Sequence, residues 1–220
     1  MAKAREVFDR SLTDLRNNII GLGSMVEDAI KLALRALKEQ DPEVARQVIA
    51  GDEQINARRY EVEEQCLRLI ATQQPAAGDL RAIIAAIHIV TELERIGDYA
   101  SGIAELAIRL SGQPLLKPLI DLPRMAEIDE EMVCASLEAY LSHDPDLALE
   151  TAKRDAEIDQ LEDQVYRELL TYMMGDPTTI TRATYLLWVA HKLERIADRV
   201  TNICERVIFM STGVMRELNF

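Results

Sequence analysis

Acidic side chains recur at a spacing of four residues in two distant parts of the chain. Glu94 and Asp98 form one pair, and Glu194 and Asp198 repeat it. On an α-helix, residues four apart lie on one face, about 6 Å from each other. Carboxylates held at that distance repel each other by about 1 kcal/mol even when they are well solvated. We therefore expect protons, arginines or a cation to compensate them, which makes both pairs candidate metal ligands.

A second polar pair precedes each acidic pair, Asp52 with Asn56 and Asp155 with Asp159. In an antiparallel helical hairpin, residues equidistant from the loop lie at the same height, because both helices rise equally per residue. Counting from loops at residues 75 and 175–177 places each polar pair level with the acidic pair that follows it. The predicted metal ligands are Asp52, Asn56, Glu94, Asp98, Asp155, Asp159, Glu194 and Asp198.

Two further side chains could extend these sites. The same counting about Asp41 places Glu27 near the level of the first site, and Glu130 is its equivalent in the second half. His191 precedes Glu194 by three residues and shares its face, although Thr91 at the equivalent position shows that a symmetric site does not need it. Ligation by oxygen atoms alone favours magnesium, calcium, manganese or iron.

A plainer interpretation competes with the metal sites. The apolar stripe of the same helix lies nearly opposite Glu94 and Asp98, and a carboxylate pair there is usually a solvated face that Arg95 or Arg195 would screen. The duplication at matched heights favours a site between neighbouring helices. The apolar stripe consists of Ile89, Leu93, Ile96, Ala100 and Ile103.

Hydrophobic periodicity predicts six helices, roughly at residues 5–39, 42–72, 78–111, 123–142, 145–174 and 178–210. LERIGD at 93–98 recurs as LERIAD at 193–198, and DPEVARQVIAGDEQIN at 41–56 matches DPDLALETAKRDAEID at 144–159. Each half therefore contains three helices joined by short loops. We predict an all-α chain of two tandem antiparallel three-helix bundles, related by an internal repeat, with domains at 1–114 and 115–220.

Composition narrows the class of protein. The 220 residues contain only 9 glycines and 7 prolines, which favours long helices over a β-sandwich. A net charge of −13 would repel a phosphate backbone, so we expect no nucleic-acid partner. No apolar run is long enough to span a membrane, and the first residues lack the apolar stretch of a signal peptide. Three scattered cysteines suit a reducing cytoplasm and free thiols that are mostly packed in the core.

Catalytic signatures are missing from the sequence. It contains no glycine-rich phosphate loop, no GxSxG and no ExxH pair of the kind that di-iron bundles use. We therefore predict a protein that is not an enzyme. Two alternatives stay open: a carboxylate-bridged metalloenzyme or metal store, and a helical adaptor whose carboxylates only confer solubility.

The doubled LERI[GA]D, each copy one helix after a D-x-x-I-[ND] element, and the loop PAAGDLR at 75–81 resemble the PhoU family of phosphate-uptake regulators. The resemblance covers about residues 8–210. It implies two three-helix bundles about an internal pseudo-twofold axis, a homodimer, and iron or zinc clusters at Glu94/Asp98 and Glu194/Asp198.

The resemblance also implies a function and partners. Family members are cytoplasmic negative regulators of the phosphate-starvation response, with the ATPase subunit of a phosphate ABC transporter and a sensor histidine kinase as partners, and they meet the membrane only through those partners. Two features depart from the family pattern. Asn56 stands where the second copy has Asp159, so we expect weaker metal binding at the first site, and the second copy has GDPTTITRA in place of the PAAGDLR loop.

Overall fold

The computed structural model describes residues 2–218, with side chains from residue 6 onward. Over this range the chain is all-α, as predicted, and residues 177–179 add one short 3₁₀ turn. The fifth predicted helix is present as two shorter helices. The α-helices are α1 (Ala2–Glu39), α2 (Pro42–Gln73), α3 (Ala77–Leu110), α4 (Asp121–Ser142), α5 (Pro145–Ala152), α6 (Asp155–Gly175) and α7 (Ile180–Thr212).

The Asp-Pro dipeptides begin helices as the sequence predicts. The side chain of Asp41 accepts hydrogen bonds from the backbone N–H groups of Glu43 and Val44, at 2.8 and 3.3 Å, and Asp144 caps α5 in the same way. Each cap satisfies two of the N–H groups that a helix start leaves without a partner, and the proline that follows needs none. Equivalent caps set the same register for both copies of the repeat.

The prediction of an unbroken helix over 145–174 is wrong at Lys153 and Arg154. There the backbone tightens into i→i+3 bonds, Arg154 N–H to the carbonyl of Thr151 and Glu157 N–H to that of Arg154. The Thr151 hydroxyl also donates to the carbonyl of Leu147 at 2.8 Å. Side-chain bonds of this kind compete with the helical ladder and bend helices. The break places Asp155 in the first turn of α6.

The two halves pack into a single molecule with one continuous core. α1, α2 and α3 form the first bundle, and α4 to α7 form the second. The most extensive packing between any two helices joins α3 to α7, which are equivalent members of the two halves, and α1 packs on α4 beside them. All five residues of the predicted α3 stripe are buried within this core.

The predicted burial of the three thiols is confirmed at two positions. Cys66 and Cys204 are buried, and burial raises the pKa of each thiol to about 12. Cys134 is exposed, so the expectation that it packs in the core is wrong. Among residues 2–218, no helix is both long enough and apolar enough to cross a membrane.

Candidate metal centre

The second copy of the repeat brings its two carboxylate pairs together between α6 and α7. Asp198 on α7 raises the pKa of both Asp155 and Asp159 on α6, and Asp159 in turn raises the pKa of Glu194. The predicted matching of heights across the hairpin is therefore present in the structure. The four side chains form the centre of what we term the second cluster.

Burial and mutual repulsion raise the pKa values of three residues of this cluster, Asp155, Asp159 and Glu194. The pKa of Asp155 rises to about 6, mainly through burial and then through Asp159 and Asp198. That of Glu194 rises to about 7 through burial and Asp198, although Arg195 partly opposes the change. A raised carboxyl pKa means that the site holds its negative charge at a cost in free energy. A bound cation would remove that cost.

Asp129 on α4 joins this cluster, and the sequence interpretation missed it. Its side chain is fully buried, and neither carboxylate oxygen has a hydrogen-bond partner among the described residues. Burial raises its pKa well above the usual range, and the charges of Asp155, Glu130 and Glu194 add to the effect. A buried carboxylate without a partner is rare in proteins and calls for a ligand or a proton. Asp129 is therefore a buried member of the cluster, within reach of the charges of Asp155 and Glu194.

His191 and Glu162 extend the cluster toward solvent. The His191 Nδ1 atom lies 3.2 Å from Glu162 Oε1 and 3.3 Å from Glu194 Oε2. One ligand atom from each of the three residues lies within 4.8 Å of the others. The symmetry argument from Thr91 disfavoured His191, yet the structure places it beside the carboxylates. We define the second cluster as Asp129, Asp155, Asp159, Glu162, Glu194 and Asp198, with His191 at its edge.

Arg195 supplies the cation that is nearest to the second cluster. Its guanidinium Nε lies 3.1 Å from Glu194 Oε2, and its Nη1 donates to Asp198 Oδ2 at 2.8 Å. This agrees with the expected screening role of Arg195. One guanidinium leaves most of the cluster's charge uncompensated, and Asp155 Oδ1 is buried without a hydrogen bond to any described residue.

The first cluster consists of Asp52, Asn56, Glu94 and Asp98, between α2 and α3. Asn56 Nδ2 donates to Asp52 Oδ2 at 3.0 Å, and Asp98 raises the pKa of both Asp52 and Glu94 beyond the effect of burial. The four residues therefore converge as predicted. Asn56 contributes a neutral donor, so this cluster is held together partly by an internal hydrogen bond.

Arg59 reverses the charge of one position in the first cluster. It is the repeat equivalent of Glu162, and its guanidinium Nε lies 3.6 Å from Glu94 Oε1 while its Nη1 donates to Glu63 Oε1 at 2.6 Å. Glu94 thus has a fixed positive partner on the neighbouring helix. The first cluster lacks an equivalent of Asp129 as well, because Val26 occupies that position.

Glu27 and Glu130 form a separate pair between α1 and α4. Burial raises the pKa of both glutamates, and Glu27 adds to the rise for Glu130. Lys31, whose Nζ lies 3.7 Å from Glu130 Oε2, partly opposes the rise in both. The expectation that Glu27 adds to the first cluster is therefore not confirmed. The α4 residue that enters a cluster is the neighbour of Glu130, Asp129.

The interpretation of the acidic pairs as a purely solvated face is wrong for the glutamates. The side chain of Glu94 is 18% exposed and that of Glu194 is 14% exposed, because the neighbouring helices cover them. Asp98 and Asp159 are exposed at the rim. Each cluster is therefore a groove that is open on one side, which suits a cation that keeps some of its water.

Comparison with known proteins identifies the fold and its relatives. The sequence profile of the PhoU domain matches twice, over residues 19–107 and 122–207. A protein of Clostridium acetobutylicum named phosphate-specific transport system accessory protein PhoU homolog is 38% identical over 216 residues, which cover 98% of this chain and 99% of that protein. A protein of Aquifex aeolicus with the same name is 41% identical over 204 residues, 93% of this chain and 92% of its own.

Solved structures lead to the same family. The crystal structure of PhoU from Pseudomonas aeruginosa superimposes with a TM-score of 0.90 at 38% identity, covering 94% of this chain and all of that one. The phosphate transport system regulatory protein PhoU from Streptococcus pneumoniae superimposes with a TM-score of 0.89 at 33% identity, covering 96% of this chain and all of its own. Two matches to the same domain, relatives aligned over nearly the whole chain and a shared fold establish that the chain belongs to the PhoU domain family.

Proposed function

We propose that this chain is a non-enzymatic accessory protein that negatively regulates phosphate uptake and the phosphate-starvation response in the cytoplasm. The similarity to accessory proteins of phosphate-specific transport over nearly the whole chain carries this proposal. Deletion of the gene in its native host should then leave phosphate uptake unrestrained when phosphate is plentiful. Radiolabelled phosphate uptake and a reporter of a starvation-induced promoter measure this directly, and unchanged uptake and reporter activity would contradict the proposal.

The partners we propose are a second copy of this chain, the ATPase subunit of a phosphate ABC transporter and a phosphate-sensing histidine kinase. A homodimer predicts about twice the monomer mass of 24.8 kDa in solution. Association with the membrane would depend on the transporter. Co-purification of tagged transporter from cells with and without this chain tests that contact, and recovery from membranes that lack the transporter would contradict it.

We further propose that the second cluster binds a divalent metal ion that braces α4, α6 and α7. Buried oxygen atoms of Asp129 and Asp155 have no hydrogen-bond partner among the described residues, so a cation would satisfy acceptors that the protein leaves open. Oxygen donors with one imidazole at the rim suit iron, zinc or manganese, whereas magnesium and calcium would use the carboxylates alone. Asp129, Asp155, Asp159, Glu194 and Asp198 would supply the oxygen ligands, and His191 and Glu162 would close the outer side.

Metal binding and regulation are separable in one experiment. Asp155→Asn with Glu194→Gln removes two charges and keeps side-chain volume, and Asp52→Asn with Glu94→Gln makes the matched change in the first cluster. Each pair of substitutions is introduced at the native locus, and phosphate uptake and the reporter are measured again. Loss of regulation in the second-cluster variant alone supports a role for that metal. Full regulation in both variants would limit the metal to a structural role or none.

A second candidate, a metal store or carboxylate-bridged metalloenzyme, draws support from His191 beside Glu162 and Glu194. A metalloenzyme requires turnover, and a metal store requires many ions per chain. Assays of the iron- and manganese-loaded protein for peroxide consumption and for phosphoester hydrolysis, together with metal titration to saturation, test both requirements. Catalysis that depends on the second cluster would favour the metalloenzyme over the regulator.

A further inference from the structure

A cleft of about 580 Å³ lies between α3 and α7 on one side of their contact. Its walls combine aromatic rings with positive charge, chiefly Tyr99, Trp188, Lys192 and Arg109. Trp188 is 48% exposed, and its ring lies 5.6 Å from that of Tyr185. The volume falls within the range of small-molecule sites in proteins, about 300–1,000 Å³. We call this feature the aromatic cleft.

Two cations of the aromatic cleft have no acidic partner. Lys192 Nζ lies 5.9 Å from the centre of the Tyr99 ring, and the Arg109 guanidinium lies 5.9 Å from that of Tyr185. Neither forms a salt bridge with any carboxylate in the described part of the chain, and Glu105 is the one acidic residue that lines the cleft. In a protein of net charge −13, two unpaired cations beside a half-exposed indole create a local site for an anion.

The internal repeat provides a comparison on the opposite side of the α3–α7 contact. There Glu92 accepts hydrogen bonds from Arg199 Nη1 at 3.3 Å and from Asn202 Nδ2 at 3.2 Å, which neutralises the cation and ties the helices together. The equivalents of these three residues in the aromatic cleft are Lys192, Tyr99 and Gly102. The repeat thus closes one side with an ion pair and leaves the other side open and positive.

Gly102 creates the path along which the lysine side chain lies. A Cβ atom at residue 102 would come within 2.8 Å of Lys192 Cε, so a larger residue would push the ammonium group away. The glycine lies inside a long helix, where alanine would be more favourable by about 1 kcal/mol. The glycine thus leaves room beside α3 for the end of the Lys192 side chain.

We propose that the aromatic cleft binds a nucleotide, with Lys192 and Arg109 contacting the phosphates and Trp188 stacking on the base. An ammonium and a guanidinium are the groups that proteins use for phosphate oxygens. A planar base suits the exposed face of an indole. His191 and Arg195 line the cleft as well as contacting the second cluster, so an occupied cleft would adjoin the metal groove. The proposal concerns a second site and does not depend on metal binding.

Intrinsic fluorescence tests this proposal, because Trp188 is the one tryptophan of the chain. The full-length protein is titrated with ADP, and in parallel with adenosine and with inorganic phosphate. We expect saturable quenching by ADP, with adenosine and phosphate each binding at least about tenfold more weakly. Isothermal titration calorimetry with ADP measures the same binding without relying on fluorescence. Saturable binding of phosphate with equal affinity would reduce the site to an anion site and overturn the proposal.

Matched variants locate the binding. Lys192→Gln and Arg109→Gln should each weaken ADP binding about tenfold. Gly102→Ala should weaken binding while retaining a helical fold, and Arg35→Gln, an exposed cation paired with Glu39 on α1, should leave binding unchanged. Equal affinity in all variants, or no saturable signal, would overturn the proposal. So would a Trp188 that iodide cannot quench in the free protein, since a second copy would then cover the cleft.

Discussion

The two carboxylate clusters descend from one repeated pattern but differ in how their charge is compensated. The first cluster has three carboxylates and one amide, with Arg59 beside Glu94. The second cluster has six carboxylates, and among the described residues Arg195 is the one arginine or lysine that forms salt bridges with Glu194 and Asp198. Val26 and Arg59 in the first half stand where the second half has Asp129 and Glu162. The first copy has one guanidinium beside three carboxylates, and Asp52 Oδ1 is buried there without a hydrogen bond to any described residue. The second copy gathers six carboxylates beside one guanidinium.

This difference indicates which copy would gain more stability from a bound cation. A folded protein keeps unpaired buried charge only at a cost in stability, and a cation bound beside that charge would offset the cost. The pKa values of Asp155, about 6, and Glu194, about 7, are the electrostatic signature of that condition. The first cluster carries less charge, and the expectation from Asn56 that it binds metal more weakly stays a prediction.

The helix that carries each polar pair differs as well. α2 continues unbroken through Asp52, while the equivalent helix breaks before Asp155 and begins again as α6. The first turn of a helix carries free N–H groups and the positive end of its dipole, both of which stabilise a carboxylate. Asp155 therefore lies in the first turn of a helix, whereas its equivalent, Asp52, lies in the interior of one.

The largest expected effect comes from giving the first cluster the buried acid of the second. In Val26→Asp a carboxylate replaces a fully buried valine, the repeat equivalent of Asp129, without a prepared partner. We expect the free energy of unfolding in the absence of metal to fall by about 3 kcal/mol or more. Urea denaturation measures this change. Val26→Leu at the same position is the control for altered packing, and a loss no larger than that of the control would contradict the comparison.

The reverse change should stabilise the second half. Asp129→Val replaces a buried carboxylate that lacks partners with a side chain of similar shape, so we expect metal-free stability to rise by about 1–3 kcal/mol. Metal added to this variant should give less stabilisation than it gives the wild type. A fall in metal-free stability would mean that Asp129 has a favourable partner, and the account of the second cluster would then be wrong.

The pH dependence of stability should separate the clusters further. A carboxyl group whose pKa is higher in the folded state than in the unfolded state binds more protons when folded, so stability falls as pH rises between the two values. For Asp155 and Glu194 that window runs from about pH 4 to about pH 7. Metal-free protein should therefore lose roughly 2 kcal/mol over this range, after allowance for solvent screening.

Two double variants test the source of this slope by denaturation at several pH values. The variant with Asp155→Asn and Glu194→Gln should have a flatter profile, because neither replacement titrates. The variant with Asp52→Asn and Glu94→Gln should change the profile less. If stability still falls with pH in the variant with Asp155→Asn and Glu194→Gln, other groups cause the pH dependence.

The smallest expected effect is a gain of metal response in the first cluster. Asn56→Asp with Arg59→Glu copies the charges of Asp159 and Glu162, and removes both internal sources of compensation. We expect saturating Mn²⁺ to stabilise this variant by about 1 kcal/mol more than it stabilises the wild type. Thermal unfolding with and without Mn²⁺ measures the difference. If Mn²⁺ stabilises the variant and the wild type equally, the added charges are not sufficient to create a metal site in the first cluster.

The repeat in the sequence was enough to predict the six principal helical segments and the convergence of Asp155 and Asp159 with Glu194 and Asp198. Those predictions rest on periodicity and on helix geometry, which local residues largely determine. The repeat did not predict Asp129, because the equivalent position in the first half holds an apolar residue, Val26. One signal was available, since the acid lies between apolar residues of α4 at helical spacing, a face that normally packs in the core.

Other features depend on tertiary structure. Nothing at Lys153 or Arg154 is a strong helix breaker, so the division between α5 and α6 was not visible in the residue types. Glu162 escaped notice because its equivalent, Arg59, has the opposite charge. The position of Glu27 beside α4 depends on how the two halves pack. Counting residues from a loop within one half carries no information about that packing.

Metal analysis of three proteins tests the central claim most directly. Wild type, the variant with Asp155→Asn and Glu194→Gln, and the variant with Asp52→Asn and Glu94→Gln are purified without an affinity tag or chelator, and their metal content is measured by plasma mass spectrometry. We predict stoichiometric metal in the wild type and in the first-cluster variant, and its loss from the second-cluster variant. Metal that is absent from all three, or retained when the second cluster is changed, would contradict the claim that this cluster is a metal centre.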